Sequence, residues 1–99
     1  MAAPSIDSWE AEDLQQKLHR DYGLDHIRVR RHGGLLILQS GDPADAVWHA
    51  RFKRDTVHLW FLEMPNRAGR WDSTFMRGTL DDLTEALVND LGWMVQRIE

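Results

Sequence analysis

The stretch Ile27-Arg28-Val29-Arg30-Arg31-His32-Gly33-Gly34-Leu35-Leu36-Ile37-Leu38-Gln39-Ser40 decides the fold. Before the two glycines apolar and basic residues alternate, and after them comes an aliphatic run too short for an ordinary helix. Gly33-Gly34 is a hairpin turn signal, because a tight two-residue turn needs positive φ at its centre. Residues 27–32 and 35–40 therefore read as antiparallel strands whose paired numbers add to 67. That register sends Ile27, Val29, Leu36 and Leu38 to one face, and Arg28, Arg30 and His32 to the other with Leu35, Ile37 and Gln39.

Downstream, Gly41-Asp42-Pro43-Ala44-Asp45 breaks the chain before a second hairpin, residues 46–53 and 56–64. With the turn placed at Arg54-Asp55, paired numbers add to 109. Trp48 with Phe61, Ala50 with Leu59 and Phe52 with Val57 then face the core. His49 with Trp60, Arg51 with His58 and Lys53 with Thr56 face outward. Residues 65–70 read as a loop, 71–76 as a short fifth strand, and 93–98 as a further edge strand.

The flanks are helical. Over residues 7–22, Asp7 with Glu10 can cap the start, Ile6 can staple against Ala11, and Trp9, Leu14, Leu18 and Tyr22 recur at helical intervals up to Gly23. From Thr79, capped with Asp82, a stripe of Leu80, Leu83, Leu87 and Leu91 runs to Gly92. The expected fold is α+β: an antiparallel four- to five-stranded meander sheet with an N-terminal and a C-terminal helix packed on one face, all in a single domain 1–99.

Composition narrows the function classes. A chain of 99 residues that is 42% hydrophobic and 28% charged supports one globular core. Without cysteine there is no disulfide framework, thiolate metal site or thiol nucleophile, which suits a reducing, cytoplasmic setting. The acidic amino terminus is unlike a secretory leader, and Leu35–Leu38 is far short of the roughly 20 apolar residues that cross a bilayer, so no membrane partner is expected. Ten of the twelve basic residues are arginine, a bias associated with GC-rich bacterial genomes.

No motif for chemistry emerges. Five histidines show neither HExxH nor His-x-His spacing, although His49 and His58 lie diagonally close in the expected register. Asp81-Asp82 suits a helix start, and Gly33-Gly34 is too short to cradle phosphate. The expectation is a non-enzymatic chain with no cofactor and no metal. The order helix, strands, helix is similar to the double-stranded-RNA-binding domain, whose phosphate-contacting lysines start its last helix. Here that place is taken by Thr79-Leu80-Asp81-Asp82, so the resemblance carries over no functional residue.

Charge is segregated along the chain. Residues 1–25 hold six acids against two bases and residues 79–99 five against one, whereas residues 26–78 hold nine bases against five acids. Acidic helices thus cover a basic sheet. Trp9, Trp48 and Trp93 read as core, while Trp60, and Trp71 after Arg67 and Arg70, read as surface. The expected partner-binding surface is Arg28, Arg30, His32, His49, Arg51, Lys53, His58 and Trp60 on the outer sheet face, with Arg67, Arg70 and Trp71 beside it. Arginine mixed with aromatic residues suits a protein partner, or a second copy in a homodimer. The alternative is single-stranded nucleic acid on the same face.

Overall fold

A computed structural model describes residues 8–56 and 58–96. Its elements are α1 (Ser8–Tyr22), β1 (Arg28–His32), β2 (Leu35–Ser40), β3 (Val47–Arg54), β4 (Trp60–Pro65), β5 (Trp71–Gly78) and α2 (Leu80–Asp90), with 3-10 turns at Pro43–Asp45 and Gly92–Val95. The five strands form one antiparallel sheet in chain order. Leu14 and Leu18 of α1 and Leu83 and Leu87 of α2 join Leu36, Leu38, Ala50, Phe52 and Leu62 in one buried cluster. Both helices therefore pack on the same face, and the fold is the α+β meander that alternation and capping indicate.

Local signals act as their chemistry requires. Thr79 Oγ1 accepts the Asp82 N–H and starts α2. Gly23, at φ +68°, ends α1 in the left-handed region, and the Leu24 N–H closes back on Leu18 O. The first hairpin keeps its expected register throughout, from Arg28 opposite Gln39 to His32 opposite Leu35, with Gly33 at φ +59°. The proposed Asp7 cap, the Ile6 staple, the inward Val57 and the end of the 93–98 strand lie outside the described residues.

The second hairpin differs. Arg51 pairs with Glu63, Phe52 with Leu62 and Arg54 with Trp60, so paired numbers add to 114 and not 109. Arg54-Asp55 lacks the glycine that a tight positive-φ turn favours, and the chain uses residues 55–59 instead, with the Asp55 and Thr56 N–H groups both donating to Leu59 O. The odd difference between the two registers exchanges the faces of β4. Trp60, expected outside, is 3% exposed in the core with Leu62, while Phe61, expected inside, lies with Glu63 on the helix-free face.

A bulge on β3 makes a second exchange. Leu38 faces Ala50 but Gln39 faces Trp48, leaving His49 as the extra residue. His49, expected on the outer face, is buried toward the helices, and Trp48, expected in the core, is 42% exposed on the outer side. Trp9 and Trp93, also expected inside, are 61% and 60% exposed. The start of the expected C-terminal strand is instead the 3-10 turn Gly92–Val95, which buries Met94 and Val95.

Candidate interaction surface

The face that no helix covers is built from alternate residues of five strands. Arg28, Arg30 and His32 come from β1, Leu35, Ile37 and Gln39 from β2, Trp48, Arg51 and Lys53 from β3, Phe61, Glu63 and Pro65 from β4, and Trp71, Ser73 and Arg77 from β5. Ile37 and Gln39 are buried there without any helix above them. Ile37 lies between Arg30 and Arg51 in the ladder, so the stems of these long basic side chains shield the aliphatic floor.

The surface is ordered by its own contacts. Arg51 Nε donates to Glu63 Oε1 at 2.7 Å, and its guanidinium sits 4.6 Å from the centre of the Trp71 ring. Trp71 in turn stacks on Trp48 at 5.4 Å between centroids and 26° between planes. Glu63, Arg51, Trp71 and Trp48 thus form one continuous stack across three strands. Arg77 donates to Asp55 Oδ2 at 2.6 Å and lies 5.7 Å from the Phe61 ring centre. Arg28 Nη1 donates to Gly41 O, while Arg30, His32 and Lys53 are exposed.

Of the residues singled out from sequence, Arg28, Arg30, His32, Arg51, Lys53 and Trp71 share this face. Arg67 and Arg70 sit in the exposed loop that joins Pro65 to Trp71, where Asn66 Oδ1 accepts the Ala68 and Arg70 N–H groups. His58 leaves the face for the 55–59 loop and lines a groove on the helix side with Trp9, Glu10, Trp60 and Leu80. Trp60 and His49 leave it for the reasons given above. Trp48, Phe61, Glu63 and Arg77 were missed. Only the β4 members could have been found, by noticing that Arg54-Asp55 is a poor tight turn.

At one end of the sheet the face opens into a cleft of about 160 Å³, lined by Trp48, His49, Met64, Pro65, Trp93 and Met94. Its floor is tightly bonded. His49 Nδ1 donates to Met94 O at 2.8 Å, which leaves Nε2 to accept from Ser40 Oγ at 2.7 Å in the neutral ring. His26 packs edge-on to His49 at 5.8 Å, and its Nε2 donates to Val95 O at 2.7 Å. Two imidazoles therefore clamp the carboxyl-terminal 3-10 turn onto the sheet. Burial holds the His49 pKa below the ordinary imidazole value, against the opposing pull of the Met94 carbonyl, and the neighbouring His26 lowers it further.

Ser40, His49 and the Met94 carbonyl are connected as a nucleophile, base and orienting group would be. Ser40 is buried, however, and does not line the cleft, so the hydroxyl orients the ring rather than facing a substrate. His49 and His58 do not come together, and among the described residues no three His, Asp or Glu side chains gather as a metal requires. No helix among them is long and apolar enough to cross a membrane. Comparisons with family models, curated proteins and solved structures give no match, so the surface must be read from its own chemistry.

Proposed function

We propose that the chain is a non-enzymatic binding module that engages a protein partner through the helix-free sheet face and the aromatic corner at its end. The observation that carries this reading is the stack of Glu63, Arg51, Trp71 and Trp48 leading to exposed Trp93. Arginine and tryptophan anchors that are already held by their neighbours lose little conformational freedom on binding. The sheet edges favour use of the face. β5 is interrupted by a bulge and β1 carries Arg28, Arg30, Arg31 and His32, both of which discourage strand addition.

Capture from native lysate with the wild-type chain, followed by hydrogen-exchange mapping of the purified complex, tests the reading. Protection concentrated in β3, β4 and β5, and loss of capture in a Trp48→Ser, Lys53→Glu variant of unchanged Tm, is the expected result. Protection confined to the acidic helices defeats it. A second reading, single-stranded nucleic acid on this face, is favoured by Arg30, His32 and Lys53, which have no acidic partner among the described residues. It requires oligonucleotide binding at low salt that weakens steeply as salt rises.

A further inference from the structure

We propose that the cleft between Trp48 and Trp93 receives a proline-rich, extended segment of the partner, with an acidic side chain beside it. This rests on the reading of the face as a protein-binding surface and specifies what occupies its corner. The Trp48 and Trp93 indoles line it together with Met64, Pro65 and Met94. Prolyl rings pack well in such aromatic slots, and a polyproline segment arrives already extended.

The hydrogen-bonding inventory selects the ligand more sharply than shape does. Both nitrogens of His49 are used, by Met94 O and by Ser40 Oγ, and the Met94 carbonyl is used by His49. Pro65 has no N–H. Among the described residues neither the Trp48 nor the Trp93 indole N–H has an acceptor. Among the side chains that line it, the cleft therefore offers two indole donors and no free nitrogen or oxygen acceptor. An ordinary peptide would bring N–H groups that find no side-chain acceptor there, whereas a run of prolines brings carbonyl oxygens for the two indoles and no N–H. Nucleobases carry amino and imino donors of their own, and one face of Trp48 is already covered by Trp71.

Charge sets the flanking residue. The loop that leaves Pro65 and returns at Trp71 carries Arg67 and Arg70, both exposed and without an acidic partner among the described residues. Nearby Glu63 is already bonded to Arg51. An acidic residue next to the prolines would meet these two arginines.

The test uses the full chain with 15N-labelled indoles, titrated with a synthetic peptide of eight prolines followed by Asp-Glu. Controls are the same peptide with glycine and serine in place of proline, and an oligothymidine of eight nucleotides. The expected result is a saturable shift of the Trp48 and Trp93 indole signals with Kd below about 1 mM, and binding at least about tenfold weaker for the glycine-serine peptide. Trp93→Ala and Trp48→Phe should each weaken binding by about tenfold or more; the latter keeps a ring and removes only the donor. No indole shift with the proline peptide, equal binding of the glycine-serine peptide, or preferential binding of the oligothymidine overturns the proposal. If the proline peptide fails while a captured partner still protects β3 to β5, only this inference falls; protection confined to the helices removes the surface reading as well.

Discussion

His49 ties the sheet, the cleft and the carboxyl-terminal turn together through two hydrogen bonds. Because burial lowers its pKa in the folded chain, the unfolded chain binds a proton more readily between that lowered value and the ordinary 6.5. Stability is therefore unaffected by this residue above about pH 6.5 and falls as pH drops below it, until the folded-state pKa is reached. Thermal unfolding across pH 5 to 8 should show the decline, and His49→Gln should flatten the part that lies above the carboxylate range. A slope unchanged in the variant would place the titration elsewhere.

Phe75 presents the opposite case. It is 93% exposed, and it is the one non-glycine residue at positive φ among those described, at +63°. The bulge that holds it is bonded by Ser73 Oγ, which accepts the Phe75 N–H, and by Thr74 Oγ1, which donates to Leu62 O. Such a conformation costs on the order of 1–3 kcal/mol for a residue with a side chain. Phe75→Gly should leave Tm unchanged or raise it, since strain relief offsets the added freedom of the unfolded chain, roughly 0.4–1 kcal/mol. Phe52→Ala, by contrast, should cost about 3–5 kcal/mol, because Phe52 is fully buried in the cluster between sheet and helices. Denaturant melts of the two variants separate the cases.

At the level of elements, the first hairpin and both described helix bodies were legible because their signals are local. Gly33-Gly34 supplies positive φ at the turn, Thr79 and Asp82 form a cap, and leucines recur along a single stripe. The second hairpin was not legible to the same degree. Its pairing depends on how many residues the connection takes up, and residues 55–59 carry no glycine to announce the count. One odd error in that count moved Trp60 inward and Phe61 outward, while the bulge at His49 did the same to its neighbours. Arg28, Arg30, His32, Arg51 and Lys53 stand on the helix-free face as expected, because β1, Arg51 and Lys53 are set by the first hairpin or lie beyond the bulge. The core placement of Trp48 and Trp93 did not hold, since both are placed by a bulge and a 3-10 turn that leave no period in the sequence.

The helix-to-sheet contacts also differ in strength. Arg54 donates from Nη1 to both oxygens of Glu10, at 3.2 and 3.0 Å, with both side chains largely shielded, and its guanidinium lies 5.1 Å from the Trp60 ring centre. Removing one partner from such a pair leaves a shielded charge, so Glu10→Ala should cost about 3 kcal/mol. Lys17 reaches Asp81 at 2.6 Å to join α1 to α2, and this hydrogen bond raises the lysine pKa. Asp81 is widely exposed there, and Lys17→Ala should cost less than about 1 kcal/mol. Comparing the two denaturation midpoints checks the order.

On the scale of the whole molecule, one buried cluster takes in residues of both helices, three strands and the carboxyl-terminal turn. Thermal unfolding should accordingly be a single cooperative transition, with far-UV dichroism and tryptophan fluorescence giving the same midpoint. Separate midpoints would mean that the turn at Gly92–Val95 opens before the sheet. The distribution of charge has a second consequence at this scale. Acidic helices on one side and a basic sheet face on the other give the chain an electric dipole, which orients an approaching charged partner before contact and makes the association rate sensitive to salt.

The Trp48–Trp71 pair adds an optical property to the molecule. Two indoles held face to face at 5.4 Å couple their electronic transitions, so the folded chain should show a paired positive and negative band in its ultraviolet dichroism that isolated tryptophans lack. Anything that wedges against Trp48 changes that coupling. The chain thereby carries an intrinsic spectroscopic gauge of its own occupancy, readable without a dye or a tag.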